Sequence, residues 1–344
     1  MKKVLYLSNI EVPYRVRFFN ELAKCCDLTV FYESRHSQCR DAAWAKREIR
    51  QFRTFWFPQD FLRICRETYD VVIIGCYQNP LQILLRLVFR LRKIPCILNL
   101  DGEPFLEDTG WKGFCKRVLL SGGAAYLTAG EKAAESVKAV VGNAVIRPYY
   151  FSSLLRAECL DGRENNTRRT DTVLVVGQYF PYKGMDVALE AARLDPHRKY
   201  RFVGMGKRTG KFLREQDVPE NVEIIPFLPE EELKQQYQSC ALLVLPSRRE
   251  CWGLVITEAA AFGTPVVSTW DSGAAVEFLA ETYPQFLAVP GNAQSLQSCI
   301  QRFFASEDRV AYGANLQEKA MQYNIERSVQ EHRELLEDEE KWCL

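Results

Sequence analysis

Residues 242–268 read LLVLPSRRECWGLVITEAAAFGTPVVS. Leu242 to Leu245 is an apolar run of strand length, Leu254 to Phe262 has helix-forming composition, and Gly263-Thr264-Pro265 stops the helix before a second apolar run, Val266 to Ser268. Strand, helix, strand in that order is a crossover unit, and crossovers join parallel strands. The same rhythm extends upstream through Thr172–Val176, a predicted helix from Met185 to Leu194, Tyr200–Val203, Val222–Ile225 and a helix from Glu230 to Ser239. It is also present at the front of the chain: Val4–Leu7, a helix from Tyr14 to Lys24, Leu28–Tyr32, Val71–Gly75, a helix from Leu81 to Lys93, and Cys96–Leu100. Two parallel sheets with helical connections follow, an α/β architecture.

The 344 residues are about twice the length of a typical domain, so two domains are expected. The polar, turn-prone stretch over 151–170 interrupts the alternation and reads as a linker between an N-terminal domain, 1–150, and a C-terminal domain, 171–324. The charged segment from Asn324 to Trp342 has helix-forming composition and few apolar residues. It is expected to be a terminal helix, 325–344, that packs back on the first domain.

Met1-Lys2-Lys3 leads straight into an apolar run with no small-residue cleavage site behind it, which points to a cytoplasmic chain. The 12 cysteines are scattered with no C-x-x-C pair and no zinc spacing, as in a reducing compartment. The net charge of +1 conceals an asymmetry. Residues 1–150 carry 23 Lys and Arg against 15 Asp and Glu, while the remainder carries 22 against 29. A basic front half either colours a solvated surface or draws the protein toward anionic lipid.

Between Cys251 and Trp270, Glu258 is the sole charged residue. A carboxylate in apolar surroundings is costly unless donors reach it, and the hydroxyls of a ribose or a sugar would serve. Glu250 follows a parallel strand at its carboxyl end, where ligands bind in open α/β sheets, and the amides opening the next helix favour a diphosphate. Against this stands a plain crossover unit with one incidental surface glutamate.

PSRRECWGLVITEAAAFGTPVVST resembles the donor-site segment of the retaining glycosyltransferases of family 4, which have the GT-B fold: two Rossmann-like parallel-sheet domains facing a cleft. By that resemblance Glu250 contacts the donor sugar, Glu258 holds the ribose, and Trp252, Gly253 and Leu254 line the donor site. Gly177-Gln178-Tyr179-Phe180-Pro181-Tyr182-Lys183-Gly184 is similar to the family's G-R-x-x-x-x-K-G segment. Lys183 would neutralise the donor diphosphate and stabilise the leaving group. Gln178 stands where the family has an arginine, and Lys207 or Arg248 is a candidate to compensate. Gly204-Met205-Gly206 and Asp271-Ser272-Gly273-Ala274 resemble two glycine loops near the nucleotide and its diphosphate. Taken alone, each is equally a turn former, and Lys183 a helix-start lysine.

Many members carry a histidine at a strand end of the first domain. This chain has His36, His197 and His332, none placed there by the sequence. Asp101-Gly102 closes the run Cys96–Leu100 instead, similar to a subset acting in surface-polysaccharide assembly. Asp101 is accordingly a candidate catalytic residue, orienting the acceptor or the sugar, unless the pair is simply a turn. No two aspartates are separated by one residue, so the D-x-D metal motif is absent and transfer without metal or other cofactor is implied.

Arg86 and Arg90 form a basic stripe on LQILLRLVFRLRK, residues 81–93, which is too short and too charged to span a bilayer. It either lies among lipid headgroups or is a crossover helix with snorkelling arginines. Arg15 and Arg17, amid Tyr14, Phe18 and Phe19, make a second basic and aromatic patch. The expectation is therefore a retaining hexosyltransferase that moves a sugar from a nucleotide-diphosphate donor to a saccharide or lipid-linked saccharide. It would work at the inner face of the cytoplasmic membrane in surface-polysaccharide or glycoconjugate synthesis, with no nucleic-acid partner. Rivals are an epimerase of the same fold, a non-catalytic sugar-nucleotide-binding partner, and a dinucleotide-dependent oxidoreductase. The last would want G-x-G-x-x-G where Ser8-Asn9-Ile10-Glu11-Val12-Pro13 stands.

Overall fold

The computed structural model describes residues 1–34, 49–102, 110–164 and 170–341. They form two compact units. The first takes in the described residues up to Phe151 and the segment from Ile325 onward; the second runs from Ser152 to Asn324. His36 and the Glu103 end of the Asp101 loop lie outside the described residues.

The first unit holds seven strands: β1 Lys3–Ile10, β2 Asp27–Ser34, β3 Arg53–Trp56, β4 Val71–Ile74, β5 Cys96–Leu100, β6 Ala125–Ala129 and β7 Val145–Tyr149. They pair in the order β3-β2-β1-β4-β5-β6-β7, every pair parallel. Val71 to Ile74 and Cys96 to Leu100 are buried at every position, as a parallel sheet covered on both faces requires. On one face Leu5, Leu7, Val72, Ile74 and Leu98 share a core with Leu85 and Phe89 of the helix Pro80–Leu91, Leu120 of Gly110–Leu120 and Val137 of Glu131–Val141. On the other, the Tyr6 and Phe19 rings meet at 4.8 Å. Pro148 sits in β7, at the sheet edge, where a missing N–H is tolerated.

The helix Ile325–Glu337 packs on β7 and on the helix Pro13–Leu22, burying Ile325, Val329, His332 and Leu336 at helical spacing. Arg147 pairs with Glu331 and Glu334 on its rim.

The second unit holds β8 Val173–Val176, β9 Tyr200–Val203, β10 Val222–Ile225, β11 Leu242–Val244, β12 Val266–Thr269 and β13 Leu287–Ala288. They run parallel in the order β10-β9-β8-β11-β12-β13. Both sheets thus grow in one direction from their first strand and then in the other, a doubly wound pattern in each unit. Part of the stretch read as a linker is ordered here: Arg156–Glu164 is a helix against Leu254–Ala261, with Cys159 buried. Among the described residues, no helix is long and apolar enough to cross a membrane.

Candidate functional site

In the second sheet the strand order reverses between β8 and β11, and a crevice at such a point, beyond the carboxyl ends, is where doubly wound sheets bind ligands. The loop after β8 carries Gly177, Gln178 and Lys183; the loop after β11 carries Arg248 and Glu250. The fold ties the two together. The Tyr182 carbonyl accepts from the amides of Arg248 at 2.8 Å and Arg249 at 3.2 Å. The Arg248 guanidinium grips Asp186 through two nitrogens, at 2.8 and 2.6 Å, and donates to the Pro181 carbonyl at 2.8 Å. Asp186 lies below the usual carboxylate range: burial works against its charge, but the hydrogen bonds and charge of Arg248 outweigh it. Arg248 is therefore a clasp between the two loops. Lys207 is exposed, on the loop after β9.

Lys183 and Glu250 meet as an ion pair, Glu250 also accepting from the Ser247 hydroxyl at 3.2 Å. The sequence places them 67 residues apart, and the switch point brings them together. Gly184, at φ +68°, passes so close to the second loop that a Cβ there would stand 2.0 Å from the Pro246 carbonyl oxygen. Gly204, at φ +94°, adjoins the Gly177 backbone, so the first glycine pair also borders this place; Gly206, at φ +52°, donates to the Pro226 carbonyl.

Four donor-site candidates, Ser272, Gly273, Trp252 and Gly253, act through the backbone or the core. The amides of Gly273 and Ala274 donate to the carbonyls of Glu250 and Trp252, and the Ser272 hydroxyl donates to Trp252, so this loop splints the Glu250 loop where diphosphate contacts were expected. Trp252 is buried and stacks on Tyr323. Gly253, at φ +103° between Leu245, Ser272 and Glu250, leads into the helix that starts at Leu254.

Glu258, in the second turn of that helix, accepts from the Ser153 hydroxyl at 2.6 Å and the Tyr237 hydroxyl at 2.8 Å. Burial, then the adjacent carboxylate, holds the Tyr237 phenol well above its ordinary pKa, so it stays a donor. The sequence suggested ligand hydroxyls as the donors. At least two belong to the protein. Ser153 and Tyr237 carry no motif; only the fold reveals them.

In the first unit Asp101 follows β5. Arg15 forms an ion pair with it, while Tyr149 donates at 3.0 Å and Asn99 at 3.1 Å. Burial alone would weaken the Arg15 charge, but Asp101 more than restores it. His332 completes this cluster from the last helix. Its Nδ1 bonds the Ser328 carbonyl at 2.8 Å and its Nε2 lies 2.9 Å from the Asn99 side chain, with Phe18 and Tyr149 rings on either side at 4.9 Å. A histidine thus does reach this strand end, though fully buried rather than facing a sugar. His197 is exposed ahead of β9.

Burial lowers the His332 pKa from 6.5 to about 4. Between those values the unfolded chain binds the proton and the folded one does not, so stability falls on acidification through that window and is fully present above it. Melting followed from pH 7 to pH 4 should lose roughly 3 kcal/mol from this group. Replacing His332 by Gln should flatten that part of the curve; an unchanged slope would refute the assignment.

Two arginines expected at a membrane or acceptor are corrected by the structure. Arg15 is buried against Asp101, and Arg86 is buried with its guanidinium donating to the carbonyls of Leu119 and Ser121. Arg17 is half-buried, and Arg90 alone of the four is exposed.

Known proteins share this fold. The whole chain superimposes on Anabaena HepE, solved with UDP and glucose, at a TM-score of 0.73 and 16% identity, over 98% of this chain and 100% of that one. That likeness is one of fold. An uncharacterised glycosyltransferase of Methanocaldococcus jannaschii is 29% identical over 170 residues, 48% of this chain and 47% of that protein. The amylovoran biosynthesis glycosyltransferase AmsK of Erwinia amylovora is 28% identical over 148 residues, 39% of this chain and 36% of that protein. The alignments thus span about half the length of these relatives or less. The profile of the family described as glycosyl transferases group 1 matches residues 161–340. That stretch is more than half of the chain and contains both loops of the switch point, Glu258 and the last helix, so the chain belongs to the group 1 glycosyl transferases.

Proposed function

We propose that this protein is a retaining glycosyltransferase, of the kind gathered in family 4, that moves a sugar from a nucleotide-diphosphate donor to a saccharide or lipid-linked saccharide. The observation that carries the reading is the Lys183–Glu250 pair at the carboxyl ends of β8 and β11, with Glu258 on the helix that follows. Lys183 stabilises the negative charge that builds on the leaving diphosphate, and the opening amides of the helix Leu254–Ala261 assist it. Glu250 contacts the donor sugar, and Glu258 takes the ribose diol. Gly177, Gln178, Gly204 and Gly206 border the nucleotide.

The acceptor hydroxyl attacks from the face the diphosphate leaves, its proton passing to a diphosphate oxygen; the new C–O bond forms as the old one breaks, and configuration is kept. No metal is required in this scheme, a reading supported by the missing D-x-D pair. The UDP and glucose held by the Anabaena structure support a nucleotide-sugar donor, and the name of the Erwinia relative supports a biosynthetic role, which this reading places in surface-polysaccharide or glycoconjugate synthesis at the inner face of the membrane. Asp101, tethered by Arg15 and Tyr149 yet partly open to solvent, is the acceptor-side candidate.

Glu258→Gln tests the donor site. A glutamine offers one acceptor oxygen where the carboxylate offers two, so it cannot receive both Ser153 and Tyr237 and also a charge-assisted diol. Calorimetric titration with a panel of nucleotide diphosphates should show affinity reduced by about ten- to a hundredfold for the one that binds the parent. Equal affinity would remove Glu258 from the site.

A further inference from the structure

We propose that the outer faces of the helices Pro80–Leu91 and Gly110–Leu120 dock the protein on a bilayer containing anionic lipid. The buried side of the first helix is ordinary: Gln82, Leu85, Arg86 and Phe89 recur at helical spacing over the sheet. The opposite side, where a solvated helix places charged and polar groups, exposes Leu84, Leu87 and Leu91, the last 86% accessible. The next crossover helix repeats the pattern, exposing Trp111 at 76%, Phe114 at 63% and Val118. Single exposed apolar residues are normal, but six large ones on neighbouring helices call for a partner. The helices are neighbours because Arg86 of the first donates to the Leu119 and Ser121 carbonyls at the end of the second.

Charge identifies that partner. Residues 71–100 and 110–130 contain no aspartate or glutamate, while Arg90, Lys93, Lys112 and Arg117 are exposed around the apolar positions. An apolar face whose two helices carry cations and no acid suits a lipid interface, with tryptophan at the headgroup level and the cations on anionic lipid. A second copy would bring the same positive charge against itself, which disfavours a self-complementary contact. The arginine of the original stripe that faces inward, Arg86, is the bolt that holds the two helices side by side. This face stands whether or not the donor site is read correctly.

The test uses the full chain sedimented with vesicles of phosphatidylcholine alone and of phosphatidylcholine mixed with phosphatidylglycerol. Two double variants, Lys112→Glu with Arg117→Glu and Trp111→Ser with Phe114→Ser, are compared with the parent. All four positions are exposed, so melting temperature and nucleotide-diphosphate binding should match the parent. The parent should bind the mixed vesicles preferentially and release on added salt. The charge variant should partition at least about thirtyfold more weakly, and the apolar variant should also lose binding. Failure of the parent to pellet, or equal pelleting of parent and variants, overturns the proposal. So does self-association of the parent that the Trp111→Ser, Phe114→Ser variant abolishes, which would make this a contact between copies. Loss of nucleotide binding with pelleting intact would count against the donor site alone.

Discussion

Lys183→Ala should lower kcat/KM for sugar transfer by about a hundred- to a thousandfold, the range found when one electrostatic stabiliser of a developing negative charge is removed. The fold should barely notice, because the Lys183–Glu250 pair is partly open to water and such pairs contribute little to stability. An activity loss without a melting shift is therefore the signature of a chemical role. The two residues share one ion pair, so Lys183→Ala and Glu250→Gln should not add: the double variant should be little worse than the poorer single one. Lys183→Arg keeps the charge but changes its reach, and should recover part of the rate. A Lys183→Ala enzyme within about threefold of the parent, a difference of well under 1 kcal/mol, would remove the lysine from the leaving-group site.

Gly184→Ala should destabilise the second unit by about 3 kcal/mol, combining the cost of a left-handed backbone with that of forcing a methyl group against a backbone carbonyl. At φ +68° a Cβ would stand 2.0 Å from the Pro246 oxygen, and backbone on both sides gives no flexible atom that can yield. The loops after β8 and β11 would have to separate, which pulls the Tyr182 carbonyl away from the amides of Arg248 and Arg249. Scanning calorimetry should show a melting point lower by roughly 6–12 °C, and donor binding should weaken with it. A loss of only about 1 kcal/mol, the cost of the left-handed backbone alone, would mean that the close approach has no energetic weight.

The second sheet was legible because each of its strands up to β12 is an apolar run followed by a helix or a turn, and local pattern suffices for that. Lys183, Glu250 and Glu258 were legible through motif. The partners of those residues were not: Ser153 lies 105 residues from Glu258, and no spacing rule connects them. The same limit misplaced Arg15 and Arg86. Arginine is rarely buried unless paired, so an arginine in a helical stripe reads as surface. Their partners, Asp101 and two helix-end carbonyls, are 86 and more than 30 residues away. β7 escaped because Arg147 and Pro148 break its apolar run, a composition that only a sheet edge accepts. Trp111, Phe114 and Val118 drew no attention because an apolar stripe on a helix ordinarily faces a core, and here it does not.

The placement of the helix Ile325–Glu337 fixes an order of events during synthesis. The sheet of the first unit is complete once Tyr149 has been made, yet the residues that cover one of its faces, Val329, His332 and Leu336 among them, arrive only after the entire second unit has been translated. At ordinary elongation rates that interval is roughly ten to forty seconds. During it Phe18, Asn99 and Tyr149 wait without His332, so the nascent first unit exposes an apolar and polar seam that a chaperone can hold. A stop codon ahead of Val329 would therefore injure the unit that is made first.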